Sequence, residues 1–329
     1  MSLPPASASE AECTVVVPVY RNADNVPDLL VRLAALHASV PGGIRAVLVV
    51  DGSPDDSHRL LAEGLVDAPF DARLLLLSRN FGSFAAIRAG LAEVETPWMA
   101  AMTADLQEPQ SLFEDCFARL RQGDVDLLLA SRAGREDGFR DRLAASMFWG
   151  AYRRLVQPQL PPGGVDVFAC NAAFRDHLLC FAESNSSLVG QLIWLGFRRD
   201  VVPYVRQRRE VGRSAWTLSR KLRYLADSVF AFSDLPIRVF IALGGLGLLL
   251  SAGLALAVLA ARLGGGIDVP GYAATVLVVL FFSALNLFGL GVIGSYVWRA
   301  YENTKARPLA VVMHRRHFPS RPVPAEPTP

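Results

Sequence analysis

The stretch Ala46-Val47-Leu48-Val49-Val50-Asp51-Gly52-Ser53-Pro54-Asp55-Asp56-Ser57 joins an unbroken apolar run, mostly valine, to an abrupt acidic turn. A short apolar run closed by Gly, Pro and Asp reads as a buried strand that ends in a loop. The same pattern recurs at Thr14–Val19, Arg73–Ser78, Trp98–Met102 and Asp126–Ser131, with helical spacing between the runs at Asn25–His37 and Phe84–Glu93. Strand then helix, repeated, predicts a parallel α/β sheet. Ligands of such sheets bind beyond the carboxyl ends of the strands, so the residues after each run are the candidate site. They are Pro18-Val19-Tyr20-Arg21-Asn22, the acidic turn from Asp51, Ser78-Arg79-Asn80-Phe81-Gly82, and Thr103-Ala104-Asp105-Leu106-Gln107-Glu108-Pro109.

Composition bounds what such a sheet serves. The chain has 329 residues and a net charge of +2, and it is 52% hydrophobic and 19% charged. Soluble domains average ~45–50% apolar and ~25% charged, so disorder is excluded. Cys13, Cys116, Cys170 and Cys180 form no paired framework, which excludes a disulfide scaffold and favours a reducing compartment. The near-neutral balance argues against nucleic acid as a partner.

The mean hydropathy of +0.29 comes from the C-terminal third. Val239–Ala261 and Tyr272–Trp298 carry no charge. As helices rising ~1.5 Å per residue, each is long enough to cross a ~30 Å hydrocarbon core. Two transmembrane helices, 239–261 and 272–298, are therefore expected, joined by a short non-cytoplasmic loop at 262–271. Basic residues flank the pair, with Arg220, Lys221, Arg223 and Arg238 before it and Arg299, Lys305, Arg307, Arg315 and Arg316 after it, which predicts a cytoplasmic domain and cytoplasmic termini. Residues 216–238 read as an amphipathic juxtamembrane helix, 1–12 as a flexible N-terminus without a signal peptide, and 299–329 as a cytoplasmic tail in which His314 and His317 are solvated. The Gly244, Gly245 and Gly247 cluster reads as a helix-packing face, and self-association of the spans is an expectation.

No GxGxxG and no GxxxxGK[ST] accompanies the strands, which disfavours a dinucleotide fold and a P-loop. Asp105 and Gln107 instead offer a carboxylate and an amide oxygen two residues apart, a donor set suited to a hard divalent cation, Mg²⁺ or Mn²⁺, that also holds a diphosphate.

The order Pro-Val-Tyr, Asp-Gly-Ser-x-Asp-Asp-Ser, Ser-Arg-Asn-Phe-Gly, Ala-Asp-Leu-Gln-x-Pro and a membrane pair ending Gly-Val-Ile-Gly-Ser-Tyr-Val-Trp resembles family 2 glycosyltransferases of the polyprenyl-phosphate sugar transferase type. These include dolichol-phosphate mannose synthases and undecaprenyl-phosphate glucosyltransferases, and the likeness runs from Cys13 to Pro308. It implies a GT-A fold, a Rossmann-like mixed sheet, over 13–215. It also implies a nucleotide-sugar donor, a divalent cation, and inverting transfer at the lipid bilayer to a polyprenyl phosphate. By position, Pro18, Tyr20, Asp51, Ser53, Arg79, Thr103 and Asp105 match the donor side, with Asp51 where the family pairs with the base. Asp105 and Gln107 match the metal corner, and Arg132, Arg142 and Ser146 resemble residues that hold the acceptor phosphate.

The departures are specific. Val50-Asp51 and Thr103-Ala104-Asp105 each keep the second carboxylate of a family pair and lose the first. Asn22 and Ser83 replace a glutamate and a lysine, and Val167-Phe168-Ala169 and Val189-Gly190 lack arginines. A polyprenyl-phosphate acceptor needs no general base, since its second pKa of about 6 leaves it ionised. A hydroxyl acceptor on a lipid-linked glycan would need one, and Asp166 and Glu183 are the candidates. A catalytically impaired membrane scaffold and a transporter component are the competing readings from other classes.

Overall fold

The computed structural model describes residues 11–132, 150, 159–161, 164, 165, 167–207, 229–233, 235–264 and 271–321. The chain divides into two compact units, one formed by Met1–Glu183, Ser187–Leu218 and Pro308–Pro329, the other by Ser184–Ser186 and Ser219–Arg307.

The first unit is built on an eight-stranded sheet. Its strands are β1 (Cys13–Val19), β2 (Ile44–Val50), β3 (Ala72–Leu77), β4 (Trp98–Ala101), β5 (Leu127–Arg132), β6 (Val167–Asn171), β7 (Arg199–Tyr204) and β8 (Val312–Phe318), in the order β7-β5-β6-β4-β1-β2-β3-β8. The pairs β1–β2, β1–β4, β2–β3 and β5–β7 are parallel, whereas β6 and β8 run antiparallel to their neighbours. The sheet is therefore mixed α/β. Helices α1 (Val26–Ser39), α2 (Ser57–Gly64), α3 (Ser83–Leu91), α4 (Gln110–Gln122), α5 (Ala172–Leu179) and α6 (Leu188–Trp194) connect the strands.

The central strands are apolar throughout because both faces are covered. Val15, Val17, Leu48 and Val50 share one core with Leu29, Leu33 and Leu36 of α1 and Phe113 and Phe117 of α4. The opposite face packs on α3, and Gly90 sets the approach: a Cβ there would stand 2.4 Å from Val16 Cγ1 and 3.0 Å from Val49 Cγ2. Buried Arg88, on the same helix, donates to the carbonyls of Leu178 (2.9 Å), Leu179 (3.4 Å) and Phe181 and to Gln191 Oε1 (3.1 Å). It thus satisfies carbonyls left open at the C-terminus of α5.

Sequence reading treats 299–329 as a tail, but Val312–Phe318 is a strand that pairs with β3 from Ala72↔Phe318 to Leu77↔Val312, with an irregularity at Leu76/Leu77. Phe318 is buried. Arg315 Nε lies 2.9 Å from Glu93 Oε1 and His317 Nε2 lies 2.9 Å from Asp71 Oδ1, so His317 is engaged rather than freely solvated.

The second unit contains α7 (Leu235–Leu263) and α8 (Tyr272–Thr304). Both expected spans fall within these helices. Among the described residues, however, only Phe281–Thr304 is long and apolar enough to cross a membrane; Leu235–Gly247 is a shorter apolar stretch. The expectation of two spans is therefore met by one. Phe240 stacks on Phe288 at 5.2 Å, and a Cβ on Gly289 would come within 3.0 Å of the Phe240 ring, so small and aromatic residues alternate where α7 meets α8. Of the juxtamembrane helix expected at 216–238, only 229–233 and 235–238 are among the described residues, and the latter already belong to α7.

Candidate active site

Four loops leave the carboxyl ends of β1 to β4. After β1 the backbone turns through Arg21, a non-glycine residue at φ 52°. Its N–H donates to Ser53 Oγ (2.8 Å), the N–H of Asn22 to Ser57 Oγ (3.3 Å) and the N–H of Ala23 to Asp55 Oδ2 (3.0 Å). Asp55 also accepts from the hydroxyls of Ser53 (2.5 Å) and Ser57 (2.8 Å). One carboxylate thus binds the first loop to the second. Burial raises the Asp55 pKa, but the hydrogen bonds from Ser53, Ser57 and Ala23 outweigh it and hold the carboxyl below its ordinary value. A lowered pKa contributes stability that is complete above the unfolded-state range and is lost as pH falls through the folded value. Asp55→Asn is therefore expected to melt at lower temperature than the parent at neutral pH, with the gap closing on acidification; thermal melts of both proteins from pH 7 to pH 3 check this.

In the structure Asp51 joins two of the loops. It is 2% exposed, and its two oxygens accept from the N–H groups of Phe81 (2.7 Å) and Gly82 (2.8 Å), which fixes the third loop on the second. Burial pushes its pKa up against these two bonds. Gly52, at φ 54°, passes so close to the third loop that a Cβ would lie 2.3 Å from the Arg79 carbonyl carbon. Arg79 folds over the Phe81 ring at 4.0 Å.

After β4, Leu106 adopts φ 56°, a conformation an L residue holds only when its surroundings impose it. On either side of it, Asp105 and Gln107 face one group. The Arg206 guanidinium donates to Gln107 Oε1 and lies 3.8 Å from Asp105 Oδ2. Thr103 Oγ1 is 2.5 Å from Asp105 Oδ1 and 2.6 Å from Glu108 Oε2. The segment after β7 is tied to this corner by Gln207 N–H to the Gln107 carbonyl (2.8 Å) and Gln107 Nε2 to the Gln207 carbonyl (3.2 Å).

Two oxygens that converge on a guanidinium form a site for positive charge, and a carboxylate with an amide suits Mg²⁺ or Mn²⁺. The residues present fit such an ion only with help: among the described residues no group of three or more His, Cys, Asp or Glu could hold a metal, so diphosphate oxygens and water would complete the shell. The buried thiols of Cys13 and Cys116 are pushed up to about 11 and about 12 by burial, which makes them poor nucleophiles.

Arg132, at the end of β5, lies in register with Tyr204 of β7, which leads into Arg206. Glu183 belongs to another cluster, where Gln191 Nε2 donates to Glu183 Oε2 (3.1 Å) and Gln191 Oε1 accepts from Arg88. Arg142, Ser146 and Asp166 lie outside the described residues. Sequence reasoning missed Arg206, Glu108 and Asp55 as site residues. Glu108 is visible beside Gln107 in the same motif, whereas nothing local marks Arg206, 99 positions away from Gln107.

The model of glycosyl transferase family 2 matches residues 14–180. An uncharacterized glycosyltransferase of Synechocystis sp. is 30% identical over 92% of this chain and 94% of its own. The undecaprenyl-phosphate 4-deoxy-4-formamido-L-arabinose transferase of Klebsiella pneumoniae is 29% identical over 90% of both chains, and the bactoprenol glucosyl transferase of Shigella phage SfX is 26% identical over 92% of this chain and 99% of its own. With half its length under the family model and relatives matched nearly end to end, the chain belongs to glycosyl transferase family 2, among relatives that include polyprenyl-phosphate sugar transferases.

Proposed function

We propose that the protein is a membrane-anchored, inverting glycosyltransferase that moves a sugar from a nucleotide-sugar donor to a polyprenyl phosphate. The observation that carries this reading is the convergence of Asp105 Oδ2 and Gln107 Oε1 on one positive group at the carboxyl edge of the sheet. Relatives whose names specify undecaprenyl-phosphate and bactoprenol transfer support the acceptor class.

Asp105 and Gln107 would hold the divalent cation, which when bound neutralises the charge developing on the leaving nucleoside diphosphate. Arg206, released from Gln107, can turn to the phosphate oxygens; its buried Nε has no acceptor among the described residues. Asp51 and Asp55 keep the first three loops in a fixed arrangement, so the donor meets a surface that needs no reorganisation. A polyprenyl phosphate is already ionised and attacks the anomeric carbon without a general base. Glu183, engaged in the Arg88 cluster, is then not required for proton removal.

Membrane anchoring through an even number of crossings is part of this proposal, and the position of β8 supports it. The chain departs the first unit after Leu218 and is back in its sheet at Val312, so a single crossing would put β8 across the bilayer from its partner β3. Two crossings, with α7 and α8 as an antiparallel pair, satisfy this, and the basic flanks orient the sheet towards the cytoplasm.

The test is transfer by the detergent-solubilised full chain from labelled nucleotide sugars in Mn²⁺, with undecaprenyl phosphate and a lipid-linked glycan offered in parallel. Label is expected on the polyprenyl phosphate. Label on the glycan alone would replace the acceptor, and calorimetry that finds no nucleotide sugar bound, with or without Mn²⁺, would leave a scaffold as the reading.

A further inference from the structure

Family resemblance implies two carboxylates at the corner after β4, and this chain has Thr103 in the first position. The carboxyl group next to Asp105 in space is nonetheless present. Glu108 is 1% exposed, and Thr103 Oγ1 stands between the two groups, 2.6 Å from Glu108 Oε2 and 2.5 Å from Asp105 Oδ1; the hydroxyl has one proton to give, so the bridge is completed by a second proton on a carboxyl group. The Glu108 backbone is fixed in turn, since its carbonyl accepts from Arg32 Nη1 at 3.0 Å. The two oxygens of Asp105 are therefore divided: Oδ1 is drawn inward to Thr103, while Oδ2 faces the Arg206 guanidinium that also binds Gln107.

Resting on the cation-binding reading of this corner, we propose that Glu108 is a positioning residue that acts through the Thr103 hydroxyl to fix which oxygen of Asp105 meets the cation. The torsion that turns a carboxylate about its last bond is broad, so a lone aspartate does not hold one oxygen towards a ligand unaided. With one carboxylate and one amide as the protein's donors, orientation has to come from the layer behind them. Such supporting hydrogen bonds alter metal affinity by about 10–100-fold. The lost first carboxylate thus reappears from five positions further along, with a hydroxyl as the link.

The experiment uses the full-length protein, with Thr103→Val, Glu108→Leu, the double variant and Thr103→Ser. Mn²⁺ affinity is measured by electron paramagnetic resonance with UDP, and in parallel with GDP, alongside melting without metal. Each of Thr103→Val and Glu108→Leu is expected to weaken Mn²⁺ binding by about 10–100-fold. Because the two groups act in series, the double variant should be no weaker than the worse single one. Thr103→Ser, which restores the hydroxyl, should recover most of the affinity lost in Thr103→Val. Parent-like Mn²⁺ affinity in both single variants, losses that multiply in the double, or a serine variant as weak as the valine one overturns the proposal. If Glu108→Leu fails to fold, the Val and Ser comparison still decides. A parent protein that binds no Mn²⁺ with either diphosphate removes the cation reading as well, whereas a parent that binds and variants that match it remove this inference alone.

Discussion

Asp105→Ala is expected to abolish sugar transfer, with a loss of at least ~10³-fold, while the protein still folds. Removing one preorganised group that stabilises transition-state charge costs ~10²–10³-fold, and the alanine removes more than one contact. It takes away the carboxylate oxygen that shares the Arg206 guanidinium with Gln107, and it removes the Asp105 contact of the Thr103 hydroxyl. At ~1.4 kcal/mol per decade the expected loss corresponds to about 4 kcal/mol of transition-state stabilisation. Folding should be spared because Asp105, although its side chain is largely buried, lies beyond a strand end rather than in the hydrophobic core. Transfer assays, Mn²⁺ titration and a thermal melt on one preparation separate the two effects. Unchanged transfer with unchanged Mn²⁺ dependence would remove Asp105 from the mechanism.

A truncation that ends at Val311 has the second large expected effect, on stability. It removes β8, leaves β3 as a long apolar edge with Leu74, Leu75 and Leu77 buried beneath, and uncovers the space filled by Phe318. Unpaired flat edges of this kind invite association between chains. Burial of Phe318 is the largest separable part, so Phe318→Ala alone should cost ~3–5 kcal/mol. The exposed pairs of Arg315 with Glu93 and Arg321 with Asp67 should contribute little each. The truncated chain is expected to aggregate during purification, and Phe318→Ala to unfold at clearly lower urea concentration than the parent. A truncated protein with the parent's melting temperature and a monodisperse profile would show that β8 is dispensable.

What the sequence discloses follows from how each element is stabilised. Strands β1 to β5 lie between helices or beside other strands, so their burial is written as continuous apolar runs, and all five predicted runs form strands. Strands β7 and β8 sit at the two edges of the sheet and read as Arg-Asp-Val-Val-Pro-Tyr and Val-Met-His-Arg-Arg-His-Phe. Their stability comes from a partner chosen far along the chain, and no local pattern encodes that choice. The site divides in the same way. Asp51 and Asp105 are legible as carboxylates directly after apolar runs. The inward role of Asp51, and the meeting of Arg206 with Gln107, arise only when distant segments are brought together.

Strand β8 also sets an order of events at the ribosome. Synthesis proceeds from the N-terminus at ~5–20 residues per second, so β3 emerges long before the strand that covers it. Throughout that interval the unfinished sheet has an open margin, and the apolar helices α7 and α8 must be synthesised before the last strand can dock. Completion of the sheet thus reports that the helical segment between β7 and β8 has been made. A chain cut short within those helices has no means of closing its own sheet, and quality-control proteases would meet it with that margin exposed.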